Sequence, residues 1–407
     1  MALHEFTKRM KKSHTILIPE MLEYHFPILK AALLKGGYRC EILANRGKEV
    51  TETGKRFVHN DMCFPAVAII GQIINALDKG LYSPENIAFL LPQTGGACRA
   101  SNYFELLKKA LEAAGYPNVP VISLDFKNLN RQSGFRITLP MIRTAVKSVM
   151  LGDLLMHLAQ QTEPYENRRG DTLRLLGEWQ NKLCSRLSNG TIPSNRSIYR
   201  ICREILKRFS EIQLKKTEKN KIGIVGELYI KYCRLGNHET ERFLLNHGCE
   251  VKTSGFSVYA FYVIKSMIYD DEIPKPLKIA AKFLIKRLNR MYSRICSIVS
   301  EFPYFSHLPE LSEYFEKSGR IISEKCITGD GWLISAEAAV LIENGYSRIL
   351  SLNPFGCLIS HINCKGITSC LKRNYPKASI TAIDCDCDQS EALFQSRLLL
   401  AMGKNIY

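Results

Sequence analysis

The chain has 407 residues, 46% hydrophobic and 23% charged, enough for two or three domains each with its own core. No window reaches the roughly 18 apolar residues of a membrane span, because Gln72 and Asn75 interrupt the run Phe64 to Leu77. Met1 to Lys12 is polar and basic and lacks the apolar core of a secretion signal, so a cytoplasmic protein with no membrane partner is expected.

Short apolar runs alternate with helical patterns through the first third of the chain. Thr15 to Ile18, Arg39 to Leu43, Ile87 to Leu91 and Val119 to Leu124 read as strands. Leu22 to Lys35, Cys63 to about Lys79, and Asn102 to Ala114 read as helices, the last stopped by Gly115-Tyr116-Pro117. From Leu139 to about Arg208 the texture is helical, with Leu151, Leu154, Leu155 and Leu158 at helical spacing, and Lys215 to Lys221 reads as a linker.

A second alternating unit opens with the strand Ile222-Gly223-Ile224-Val225-Gly226-Glu227. Helix Glu239 to Asn246, strand Glu250 to Thr253 and a helical insertion from Tyr259 to about Ser318 follow. Helix Ser335 to Glu343, strand Arg348 to Leu352, helix His361 to Asn374, strand Ser379 to Ile383 and helix Ser390 to Met402 complete it. The pattern predicts the α/β class: two doubly wound parallel-sheet domains, Rossmann- or flavodoxin-like, with helical insertions. Residues 1–135 would form the first, 136–220 a helical connector, and 221–407 the second, with its insertion at about 259–318.

A net charge of +17 raises the question of nucleic acid, but only Lys275 to Arg294 concentrates it. There Lys275, Lys278, Lys282, Lys286 and Arg290 form one helical stripe, and Leu277, Ala281, Leu284, Leu288 and Met291 line another face. A solvated face is the plain reading. Docking of an acidic partner protein comes next. Nucleic acid ranks last, since no interleaved aromatics or binding motif accompany the stripe.

Fourteen cysteines in a chain of this size are not disulfide staples in a reducing compartment. Cys40, Cys184, Cys202, Cys249 and Cys296 fall in apolar patterns and read as core filling. Three others share one setting. Cys63 lies in Asn60-Asp61-Met62-Cys63-Phe64-Pro65, Cys98 closes Gln93-Thr94-Gly95-Gly96-Ala97-Cys98-Arg99, and Cys357 ends Asn353-Pro354-Phe355-Gly356-Cys357. Each would stand in a turn entering a helix, where unpaired amides lower a thiolate's pKa. Thiolates far apart in sequence but alike in context suggest one shared soft-metal or iron–sulfur site. In parallel α/β sheets ligands bind outside the carboxyl ends of the strands, so these thiols can meet if the halves face each other.

The same segments, with Ala100-Ser101-Asn102-Tyr103 after Arg99, resemble a bacterial family related to 2-hydroxyacyl-CoA dehydratases, alone or fused behind the ATP-dependent activase of those enzymes. Thr15-Ile16-Leu17-Ile18-Pro19, His25-Phe26, Gly223-Ile224-Val225-Gly226-Glu227 and Gly329-Asp330-Gly331-Trp332-Leu333 fit as well. The resemblance implies tandem α/β domains, in an anaerobic bacterium, around a four-iron four-sulfur cluster held by Cys63, Cys98 and Cys357. One iron would stay open to substrate. A double-cubane cluster remains the alternative form. An activase would supply the low-potential electron, and the chemistry would be dehydration or reduction of an acyl-CoA or small molecule. A non-catalytic electron carrier or assembly subunit, and a basic nucleic-acid-binding protein, are the alternatives; a dimer stays open.

The chain departs from the family where Asn353 stands in place of Gln, and at Asp384-Cys385-Asp386-Cys387-Asp388 in place of Asp-Tyr-Asp-Pro-Gly. Cys385 and Cys387, two apart at a strand end, should point to opposite faces. Cys326 and Cys233 are the further ligand candidates, and Cys364 and Cys370 read as filling. Arg99 would temper the cluster's charge or meet an anionic substrate, or else be a surface arginine. Glu227 would handle a proton or cap a helix. His361, one turn beyond Cys357, would bond cluster sulfur or be structural. Gly95-Gly96 invites a phosphate-loop reading, but no Gly-x-x-x-x-Gly-Lys-Ser/Thr is present, so ATP hydrolysis is assigned to the activase. No Cys-x-x-Cys pair suggests a structural zinc.

Overall fold

The computed structural model describes residues 5–93, 98–124, 132–190, 193–215 and 217–403. The first sheet holds β1 (Thr15–Ile18), β2 (Arg39–Ile42), β3 (Ile87–Pro92) and β4 (Val121–Leu124), all parallel in the order β2-β1-β3-β4. The second holds β5 (Asn220–Gly226), β6 (Cys249–Thr253), β7 (Arg348–Pro354) and β8 (Ser379–Cys385), parallel in the order β6-β5-β7-β8. The two sheets repeat one topology, and in each the winding reverses beside its first strand. Their central strands are apolar and buried on both faces because helices cover both sides.

The α/β class and its two parallel sheets agree with the periodicity, while several boundaries differ. The helix expected from Leu22 begins at Phe26, with Pro27 in its first turn, where a missing N–H costs nothing. The single helix expected from His361 to Asn374 is broken into Leu358–Ser360, a π turn at His361–Lys365, and Thr368–Asn374. Lys48–Phe57 forms a helix that periodicity does not reveal, since its buried positions are Val50, Thr51, Thr53 and Gly54 rather than an aliphatic stripe. Gly54 faces Gly71, whose backbones approach so closely that a Cβ on Gly54 would lie 2.1 Å from the Val67 carbonyl oxygen. That contact seats the helix against Phe64–Asp78.

Phe64–Asp78 is the central helix, buried along its length to Leu77. Its core takes in Leu17 and Phe89 from the first sheet and Ile222 and Leu350 from the second, so the two halves share apolar side chains. A second core joins the helices Leu139–Thr162, Asp171–Ser188 and Asn195–Ser210 to the insertion helices through Leu154, Trp179, Ile205, Tyr262 and Ile295. No helix among the described residues is long and apolar enough to cross a membrane.

The long helix Lys275–Ser300 packs by Ala281, Leu288, Met291, Tyr292 and Ile295. Leu277 and Leu284, expected on its packed face, are 51% and 45% exposed. In the first half of this helix Ile279 and Phe283 are also exposed between its lysines.

Candidate functional site

Cys63, Cys98 and Cys357 each occupy the residue ahead of a helical turn, in extended backbone. Cys63 leads into Phe64–Asp78, where Pro65 fits the first turn. Cys98 leads into the 3-10 turn Arg99–Asn102, which runs on into the helix Tyr103–Ala113. Cys357 follows Gly356 at φ +77°, a left-handed conformation that glycine adopts freely, and leads into Leu358–Ser360. Thr94 to Ala97, with the Gly95-Gly96 pair, lie outside the described residues.

Backbone contacts join these turns. The Phe64 amide donates to the Phe355 carbonyl at 3.2 Å, tying the Cys63 turn to the Cys357 turn across the two halves. A Cβ on Gly356 would lie 3.4 Å from the Cys63 Cα. Arg99 donates from Nη1 to the Asp61 carbonyl, linking the Cys98 turn to the Cys63 turn. The Glu227 amide donates to the Leu352 carbonyl at 3.1 Å, which places the end of β5 beside β7.

The thiols also share one electrostatic neighbourhood. Burial pushes the Cys63 thiol up, and Glu227 and Cys357 push it further; the Tyr103 hydroxyl, 2.8 Å from Cys63 Sγ, pulls it back. Burial likewise raises Cys98, with Glu227, Cys63 and Asp330 adding to it against the Ala100 amide. Cys357 is pushed up to about 11 by burial, with Glu227 and Asp330 adding, although the Ser360 hydroxyl (3.2 Å) and amide (3.5 Å) approach its sulfur. The expectation that helix-start amides would lower these thiols is therefore corrected. The amides act in that direction, but desolvation and two carboxylates outweigh them.

Asp330 enters the sequence reading only within Gly329-Asp330-Gly331-Trp332-Leu333, with no site role. It is buried, lies in Gly329-Asp330-Gly331, and is pushed up to about 8 by burial and then by Glu227, while Lys231 opposes. Beneath it Lys231 Nζ bonds both Glu337 oxygens at 2.7 and 2.8 Å, a fully buried pair. The one sequence signal for Asp330 is an acid between two glycines, both with positive φ. Tyr103 appears in the sequence only within the Ala100-Ser101-Asn102-Tyr103 segment, and nothing local pairs it with Cys63 or Lys231 with Glu337, since these partners lie dozens of residues apart.

Glu227 caps the short helix Leu228–Tyr232 by accepting from the Ile230 amide at 3.0 Å, and it also adds negative charge beside all three thiols. His361 donates its backbone amide to the Cys357 carbonyl at 3.2 Å, but its ring turns toward Asp384, with Nδ1 4.0 Å from Oδ1. Cys326 Sγ faces Asn363 Oδ1 at 3.6 Å, and Cys233 is buried against the Glu20 carbonyl. Cys385 is buried and Cys387 is half-buried beside Asp386.

Among the described residues, no three His, Cys, Asp or Glu side chains are grouped as the ligands of a metal ion. Ligands on separate irons of one cubane stand roughly 6–7 Å apart, wider than the ligands of a single ion. Three thiols on three helix starts are the donor type such a group takes. No protein-family model matches the chain, and no curated protein matches it significantly.

Proposed function

We propose that Cys63, Cys98 and Cys357 hold a four-iron four-sulfur cluster and that the protein performs electron-primed dehydration or reduction of an acyl-CoA or other small molecule, as a relative of the 2-hydroxyacyl-CoA dehydratases. The observation that supports this reading is that the three helix-start turns carrying these cysteines are tied to one another by the Phe64–Phe355 and Arg99–Asp61 bonds. Buried thiols crowded by Glu227 and Asp330 are unfavourable as anions without a compensating positive charge, which bound iron would bring. When bound, the cluster supplies a low-potential electron and an iron position open to substrate oxygen.

The chain's own residues have separate tasks. Tyr103, its phenol held protonated by burial, donates to the Cys63 sulfur. Ser360 donates to the Cys357 sulfur. Asp330, which burial and Glu227 push up to about 8, would keep its proton at neutral pH and serve as the acid for a departing oxygen. An ATP-dependent activase is the partner this reading requires, since no nucleotide motif is present in the chain.

Purification without oxygen tests the reading. A brown protein with about four irons and four acid-labile sulfides per chain is expected, and about eight would indicate the double cubane. A colourless, zinc-loaded protein overturns both. A substrate-dependent change in the electron spin resonance of the reduced protein separates an enzyme from a carrier that only passes its electron onward.

A further inference from the structure

A separate cavity of about 300 Å3 lies along β6, the edge strand of the second sheet, and none of the cysteine turns lines it. Strand alternation puts Glu250 and Lys252 on the same side of β6, and both face this cavity. Lys252, only 8% exposed, reaches His157 Nδ1 at 2.7 Å. His157 Nε2 lies 3.0 Å from the Ser306 carbonyl, which can only accept, so Nε2 carries the ring proton and Nδ1 accepts from Lys252.

That arrangement satisfies one of the three ammonium donors. Among the described residues no carboxylate forms a salt bridge with Lys252. Glu250 is engaged elsewhere, by the Tyr165 hydroxyl at 2.6 Å, the Tyr346 hydroxyl at 2.5 Å and Lys221 at 3.8 Å. A buried ammonium with no carboxylate in direct contact is costly, and burial holds Lys252 down to about 7 although the charges of Glu250 and Glu241 oppose it. The wall is mixed: Asp153, which also lines it, is taken up by His25 and the Phe256 and Ser257 amides, while Tyr292, Phe305 and Leu308 give an apolar part beside Tyr304, 59% exposed.

We propose that this cavity binds a small organic acid, its carboxylate paired with Lys252 and its flat apolar body among Tyr304, Phe305 and Leu308. With Glu250 and Asp153 held by other partners, Lys252 beside an apolar, aromatic part of the wall matches a monocarboxylate; a compact, strongly hydrated inorganic anion would leave that part unused. The inference is independent of the cysteine site and stands whether or not a cluster is bound there.

Calorimetric titration of the full chain with para-toluate, its neutral amide para-toluamide and inorganic phosphate tests it. The acid should bind about tenfold more tightly than the amide or phosphate. Lys252→Met, close in length and volume, should cost the acid about tenfold and leave the amide unchanged. If that variant does not fold, Tyr304→Ala serves instead, and it should weaken acid and amide together. Equal affinity for acid and amide, phosphate as tight as the acid, no binding of the acid up to about 10 mM, or variants indistinguishable from the parent chain would each overturn the proposal.

Discussion

The amide of Phe64 donates to the carbonyl of Phe355 at 3.2 Å, and this one bond joins the peptide after Cys63 to the turn ahead of Cys357. Residues almost three hundred positions apart thereby share a turn-to-turn contact, with Gly356 packed beside Cys63. Gly356→Ala should lower the unfolding free energy by about 1–2 kcal/mol, because φ +77° disfavours any Cβ. Urea denaturation of the two proteins, with iron measured alongside, checks this. Unchanged stability and iron would show that the close approach is not needed.

Cys63, Cys98 and Cys357 should behave as one set. Replacing any one by Ala should strip most of the iron from protein purified without oxygen, since two thiolates hold a cubane poorly. Cys385→Ser and Cys387→Ser should retain it, because one thiol is buried in the core and the other lies against Asp386. Iron retained in all three alanine variants would remove the basis for a shared site.

Asp330 gives a pH signature to the metal-free protein. Its carboxyl holds a proton more tightly folded than unfolded, so its contribution to stability is full below its ordinary value of 3.8 and is lost as pH rises through about 8. Asp330→Asn should therefore flatten that decline and stabilise the metal-free protein at pH above 8 by about 1–3 kcal/mol. Parallel urea curves at acid and alkaline pH would show it, and a difference independent of pH would contradict the assignment.

The basic helix offers a test of the partner. Lys278→Glu, Lys282→Glu and Lys286→Glu combined should slow electron delivery from an acidic activase by about tenfold at low salt, with the difference shrinking as salt screens it. The exposure of Ile279 and Phe283 among these lysines suggests an apolar contribution that salt will not remove. Stopped-flow reduction rates that do not respond to the charge reversal would leave the stripe as a solvated face.

Local pattern was enough to read the class of this fold. Short apolar runs such as Ile87 to Leu91 and Arg348 to Leu352, alternating with helical patterns, imply a parallel sheet covered on both faces, and turn chemistry marks Cys63, Cys98 and Cys357 as helix starts. What local pattern cannot carry is neighbourhood. The helix Lys48–Phe57 owes its place to Gly54 meeting Gly71, a contact with no periodicity. Asp330 and the Lys231–Glu337 pair join the thiols only because β5 and β7 lie side by side. The direction of the thiol pKa values was decided the same way. A helix start is encoded within a few residues, but desolvation and two converging carboxylates exist only once distant segments have packed together, and they outweigh the amides.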